Sequence, residues 1–103
     1  MTEVNILAEE KPKTLKLSDG KEYHLPPIDM TTLANIEKTM GFGLGRLQTK
    51  LENETMTTMR ALIYALIKEE QPELDIDSVG RLITLKEINA ISETITEIMA
   101  ISS

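Results

Sequence analysis

Between Thr14 and Leu25 apolar and polar positions alternate on either side of an Asp-Gly pair, in the run TLKLSDGKEYHL. Such alternation marks strands with one buried face, and Asp-Gly marks the turn between them. A two-residue loop at Asp19-Gly20 would set Leu17 against Glu22 and Lys16 against Tyr23, mixing apolar and charged side chains on both faces. A three-residue loop over Ser18, Asp19 and Gly20 instead pairs Leu17 with Lys21, Lys16 with Glu22 and Leu15 with Tyr23. That register gathers Leu15, Leu17, Tyr23 and Leu25 on one face, and Gly20 takes the left-handed position of a type I turn with a G1 bulge. A lone hairpin is marginal in water, so its apolar face is predicted to lie on the helices downstream.

After Pro26-Pro27 the period changes from two to about 3.6. Asp29 is placed as an N-cap, with Ile28 and Leu33 positioned as a hydrophobic staple, and Leu33, Ile36 and Met40 form the stripe of a first helix. Gly41 supplies its left-handed close. A short second helix carries Leu44, Leu47 and Leu51 and is interrupted at ENET, where Asn53 or Thr55 is predicted to cap a third. The third runs to about Glu70, with Met56, Met59, Leu62, Ile63, Leu66 and Ile67 as a wide apolar stripe. Asp75 caps a brief fourth helix bearing Val79, Leu82 and Ile83, weakened by Gly80. Thr84 and Glu87 then read as the capping box of a last helix whose isoleucines 88, 91, 95 and 98 recur at spacings of 3, 4 and 3.

The expected fold class is therefore α+β, mostly α: an N-terminal β-hairpin packed on a bundle of four to five short helices. Residues 1–13 are polar, terminal and without clear periodicity, and are expected to be loosely ordered; residues 14–103 form one domain. In the last helix the stripe is long for its polar cover. Leu85 lengthens it at its start, and Met99 and Ile101 extend it beyond the last charged residue, Glu97, so part of this face is expected to be left for a partner. Six residues are the candidate contacts: Met56, Met59, Ile95, Ile98, Met99 and Ile101. Methionine stripes of this kind can form an adaptable groove, although at helical spacing they are more often core.

Three glycines in TMGFGLGRLQ, at positions 41, 43 and 45, raise the question of a phosphate loop. Their G-x-G-x-G spacing is not the dinucleotide fingerprint, no strand precedes them, and the Lys-Ser/Thr of a Walker loop is missing. A helix end followed by a new helix near Leu44 explains them without a ligand.

At 103 residues the chain can build one modest core, filled by aliphatic residues and Met because Tyr23, Phe42 and Tyr64 are the only aromatics. With no cysteine, disulfides, thiolate metal sites and cysteine nucleophiles are excluded together. The net charge of −6 comes mainly from residues 55–103, which carry eight acids against four bases. No basic stripe is present, so a nucleic-acid partner is not expected. No secretory leader is recognised, no stretch reaches the roughly 18 apolar residues of a membrane span, and a cytoplasmic location is expected.

Candidate chemistry is sparse. His24, the one histidine, falls on the polar face of the hairpin opposite Thr14, with no motif around it. DIDSVG begins like a calcium loop, but counting from Asp75 the twelfth position is Lys86, where a bidentate acid is required. The serines lack an elbow motif or a partner base. Neither catalysis, a cofactor nor a metal is expected.

The order of these features resembles the tail assembly chaperones of tailed bacteriophages and their prophage and gene-transfer-agent relatives. The likeness spans about residues 14–100 and is carried by DGKEYHLPPI, MGFGLGRL and PELDIDSVGRLI. It implies a protein that binds the long helical tape measure protein, keeps it soluble and helps recruit tail-tube subunits during virion assembly without entering the particle. It also implies that this chain corresponds to the short form, or to its N-terminal domain, of a pair whose longer member arises by frameshifting. Competing expectations are a structural tail component, such as a connector or completion protein, and a small bacterial protein-interaction adaptor. Self-association into a homo-oligomer is a further expectation for the apolar face.

Overall fold

The computed structural model describes residues 14–102, so the expectation for residues 1–13 lies outside the described residues. Strands β1 (Thr14–Lys16) and β2 (Glu22–His24) form an antiparallel hairpin. It is followed by helices α1 (Met30–Met40), α2 (Leu47–Asn53), α3 (Thr55–Ile67), α4 (Ile76–Arg81) and α5 (Ile88–Ser102). Single 3-10 turns, Leu44–Arg46 and Leu85–Glu87, lead into α2 and α5. The chain is thus α+β and mostly α.

The hairpin takes the register that its alternation predicts. Thr14 pairs with His24, Leu15 with Tyr23 and Lys16 with Glu22. The Leu17 N–H donates to the Lys21 carbonyl at 3.2 Å, and Gly20 turns the chain at φ 81°. Leu15, Leu17, Tyr23 and Leu25 are buried in the common core. Asp19 closes the turn twice, accepting the Lys21 N–H at 3.0 Å and the Tyr23 hydroxyl at 2.5 Å. Burial, with the Asp19 carboxylate beside it, pushes the Tyr23 phenol up to about 12. The Tyr23 hydroxyl in turn holds the Asp19 carboxyl below its usual range. The turn is also fastened to the helices, because the Ser18 N–H donates to the Leu82 carbonyl just past α4 at 3.0 Å.

Helix α3 is the centre of the bundle and contacts α1, α2, α4 and α5. Its middle residues Leu62, Ile63, Leu66 and Ile67 are all buried, as a helix surrounded on several sides requires. At α1 the Asp29 carboxylate accepts the Thr32 N–H at 2.9 Å, and Gly41 closes the helix at φ 88°. Both positions demand what their residues supply: a short acceptor at the start, and a backbone without Cβ in the left-handed region at the end.

Two boundaries differ from the sequence reading. Neither Asn53 nor Thr55 caps α3; the N-cap is Glu54, without a side-chain bond. The hydroxyls nearby serve α2 instead, Thr55 Oγ1 donating to the Leu51 carbonyl and Thr58 Oγ1 to the Lys50 carbonyl. The break between α2 and α3 is thus closed by threonines reaching back to carbonyls of α2, that of Lys50 also accepting the Glu54 N–H at 2.7 Å, an alternative that short hydroxyl side chains offer to capping. Helix α3 also ends at Ile67 and not near Glu70, the chain turning through Glu70 and Gln71 N–H bonds to the Ile67 carbonyl.

The glycine segment contains its own anion. Glu37, on α1, accepts the Leu44 N–H at 2.7 Å with the same Oε2 that faces the open side of Gly43. The N–H that would greet a phosphate is already paired with a carboxylate of this chain.

Candidate functional site

The start of α3, the end of α4 and the turn leading into α5 enclose a groove of about 650 Å³. Helix α3 contributes Met56, Met59 and Arg60, α4 contributes Gly80, and Ile83, Leu85 and Ile88 complete an apolar wall. Two large apolar side chains stand at its edge, Met56 at 68% exposure and Leu85 at 91%. Single exposed apolar side chains are ordinary on protein surfaces, but two flanking one apolar groove form a patch suited to another chain.

Local chemistry explains why the groove exists. A Cβ on Gly80 would lie 2.6 Å from Cδ of Arg60, so the glycine lets the arginine stem lie directly on α4. Arg60 Nη1 reaches Asp77 Oδ1 at 3.4 Å, a partly exposed pair, while its Nε is buried without a hydrogen-bond partner among the described residues. On the opposite wall the capping box holds the turn. Glu87 Oε1 accepts the Thr84 N–H at 2.6 Å and the Thr84 hydroxyl at 2.7 Å. The box begins a 3-10 turn, not α5 itself, and this tighter winding presents Leu85 to solvent while Ile88 stays half-buried.

The carboxylates with lowered pKa have structural causes. Hydrogen bonds from Thr84 hold Glu87 below its usual range, as those from Ser78 do for Asp75 and those from Thr32 for Asp29. Each is committed to a helix or turn start, where an acceptor is needed. Asp75, the first acid of DIDSVG, caps α4 through the Ser78 N–H at 2.8 Å, and the second acid, Asp77, faces Arg60. His24 is exposed on β2. Among the described residues no group of three or more His, Cys, Asp or Glu is arranged to hold a metal ion. Among them, too, no helix is long and apolar enough to cross a membrane.

The six residues expected to meet a partner are divided by the fold. Met56 is exposed at the groove, and Met59, at 9%, forms its floor. Ile95 and Ile98 are buried, Ile98 completely, and Met99 is half-buried against the same core. The side chain of Ile101 lies outside the described ones. The stripe of α5 is therefore largely spent within the chain: it packs on α3, whose own apolar surface extends around most of the helix and needs that cover.

The chain matches no family model, no curated protein and no solved structure. The site is accordingly defined by its own geometry. Arg60, Gly80, Ile83 and Ile88 escaped the sequence reading as groove residues, because their meeting depends on how α3, α4 and the start of α5 cross. The signal present in sequence was the capping box itself, with a leucine directly after its cap.

Proposed function

We propose that this chain is a binding protein for apolar helical segments and, following the resemblance described above, a phage tail assembly chaperone. In that role it holds the tape measure protein soluble in the host cytoplasm while tail-tube subunits are recruited. The observation that supports the reading best is the preformed apolar groove with Met56 and Leu85 on its lips. An amphipathic helix lays its apolar face into such a groove through residues spaced one turn apart. Methionine at the floor and lip adapts to side chains of different shape, which suits a protein that meets successive turns of one long helix. The net charge of −6 favours solubility of the complex. The action is one of holding, and no chemical step is invoked.

The test is co-expression with a tape measure protein, the long helical partner that the resemblance implies. The expected result is a marked rise in soluble tape measure protein and in assembled tails, with this chain missing from purified particles. Equal solubility and assembly in its absence would refute the chaperone reading. Recovery of the chain in the particles would replace it with that of a structural tail component.

A further inference from the structure

Building on that helix-binding reading, we infer that the groove takes an amphipathic helix carrying carboxylates beside its apolar stripe, with Arg60 as the group that selects the acid. Among the described residues Arg60 is the one charged side chain in the lining, and no carboxylate lines the groove. This is notable in a chain of net charge −6 whose residues 55–103 hold twice as many acids as bases. Of the four bases in that stretch, Arg81 and Lys86 follow directly on the lining residues Gly80 and Leu85. The fourth, Lys68, lies over the Tyr64 ring at 6.0 Å. The acids closest in sequence are engaged, Glu54 with Lys50, Asp77 with Arg60 and Glu87 with Thr84.

The state of Arg60 points the same way. Its Nε–H is shut from water with no acceptor among the described residues, and its contact with Asp77 is a long one at the surface. A guanidinium presents several donors in one plane and is best satisfied by a carboxylate that takes two at once. An acid arriving above the groove, drawing the guanidinium off Gly80, would satisfy a donor that the described residues leave unpaired. A second copy of this chain is a poorer occupant: α5 does combine isoleucines with glutamates, but Ile91, Ile95 and Ile98 are already in the core.

The experiment measures fluorescence anisotropy of a labelled helical peptide of about 20 residues, long enough to form helix, with a leucine stripe flanked by glutamates. A second peptide has every glutamate replaced by lysine, and the protein is the full chain. Saturable binding of the acidic peptide is expected, about tenfold tighter than the basic one at low salt, with the gap closing as salt screens the pair. Leu85→Glu should weaken the acidic peptide about tenfold or more with an unchanged thermal melt. Arg60→Met, which keeps a long stem over Gly80, should narrow the preference between peptides. Equal binding of the two peptides, indifference to Leu85→Glu, or a dimer dispersed by Leu85→Glu would each overturn the proposal. The two readings fail separately. If Leu85→Glu keeps the tape measure protein soluble as well as the unaltered chain does, the groove proposal falls and the chaperone reading stands. If the acidic peptide binds in the groove but co-expression changes nothing, the reverse holds.

Discussion

Gly80 and Arg60 meet so closely that a single added methyl group would lie 2.6 Å from the arginine Cδ. Helix α4 therefore approaches α3 with a side chain lying where a Cβ would otherwise be. Alanine is favoured over glycine in a helix by about 1 kcal/mol, but here that gain competes with displacing the Arg60 stem. Gly80→Ala is expected to destabilise the chain by about 1 kcal/mol and, in an Arg60→Ala background, to stabilise it by about 0.5–1 kcal/mol. Urea unfolding of the four proteins in the cycle gives both signs.

Ile98 is completely buried, whereas Leu85 is almost completely exposed. Ile98→Ala should cost about 2–5 kcal/mol, the range for emptying a packed aliphatic site. Leu85→Ala should change stability by no more than about 0.5 kcal/mol. Thermal or urea unfolding ranks the two, and a nearly neutral Ile98→Ala would remove α5 from the core.

Acid should loosen the caps in a defined direction. Hydrogen bonds lower the carboxyls of Asp29, Asp75 and Glu87 in the folded chain. A group with a lower pKa folded than unfolded adds stability above its unfolded value and loses it as pH falls through the folded one. Stability should thus be level near neutrality and decline below about pH 4, the ordinary carboxylate range. Asp75→Asn keeps an acceptor for the Ser78 N–H but does not titrate there, so its acid decline should be shallower. Urea midpoints measured from pH 7 to pH 3 decide it, and an unchanged slope would separate the Asp75 cap from acid sensitivity.

Glu37 anchors the start of the turn into α2 through the Leu44 N–H at 2.7 Å. Removing that acceptor with Glu37→Ala should cost about 1–2 kcal/mol, since the amide is left with a weaker alternative. By contrast, a Cβ at Gly43 would meet only Glu37 Oε2, at an ordinary 3.5 Å. Gly43→Ala should therefore be tolerated, in contrast to a glycine whose backbone must touch a phosphate. Calorimetric melting of the two variants provides the comparison.

How far the fold could be read in advance depended on whether the information was local. Leu15, Leu17, Tyr23 and Leu25 declare their common face through alternation, and only one loop length keeps them together. Asp29, Gly41, Asp75 and the Thr84–Glu87 box are equally local, because a cap is a contact within three or four residues. The start of α3 was misread since Thr55 had a choice between capping forward and bonding backward to α2, and only the packing of the two helices decides it. The isoleucines of α5 were periodic but silent about their cover: a stripe reports a buried face without saying whose surface buries it. The groove was the least legible feature. It is made of Met56, Arg60, Gly80 and Leu85, which have no common spacing and are brought together solely by the crossing of three elements.

The single backbone bond from Ser18 to Leu82 gives the amino-terminal ribbon a role at a distance. Leu82 immediately precedes Ile83 and the capped turn, so the ribbon braces the wall on which Leu85 stands. Under the helix-binding proposal, lesions that slacken the ribbon should then reduce helix affinity while leaving every contacting side chain in place, the groove inheriting its rigidity from a hairpin far back in the chain.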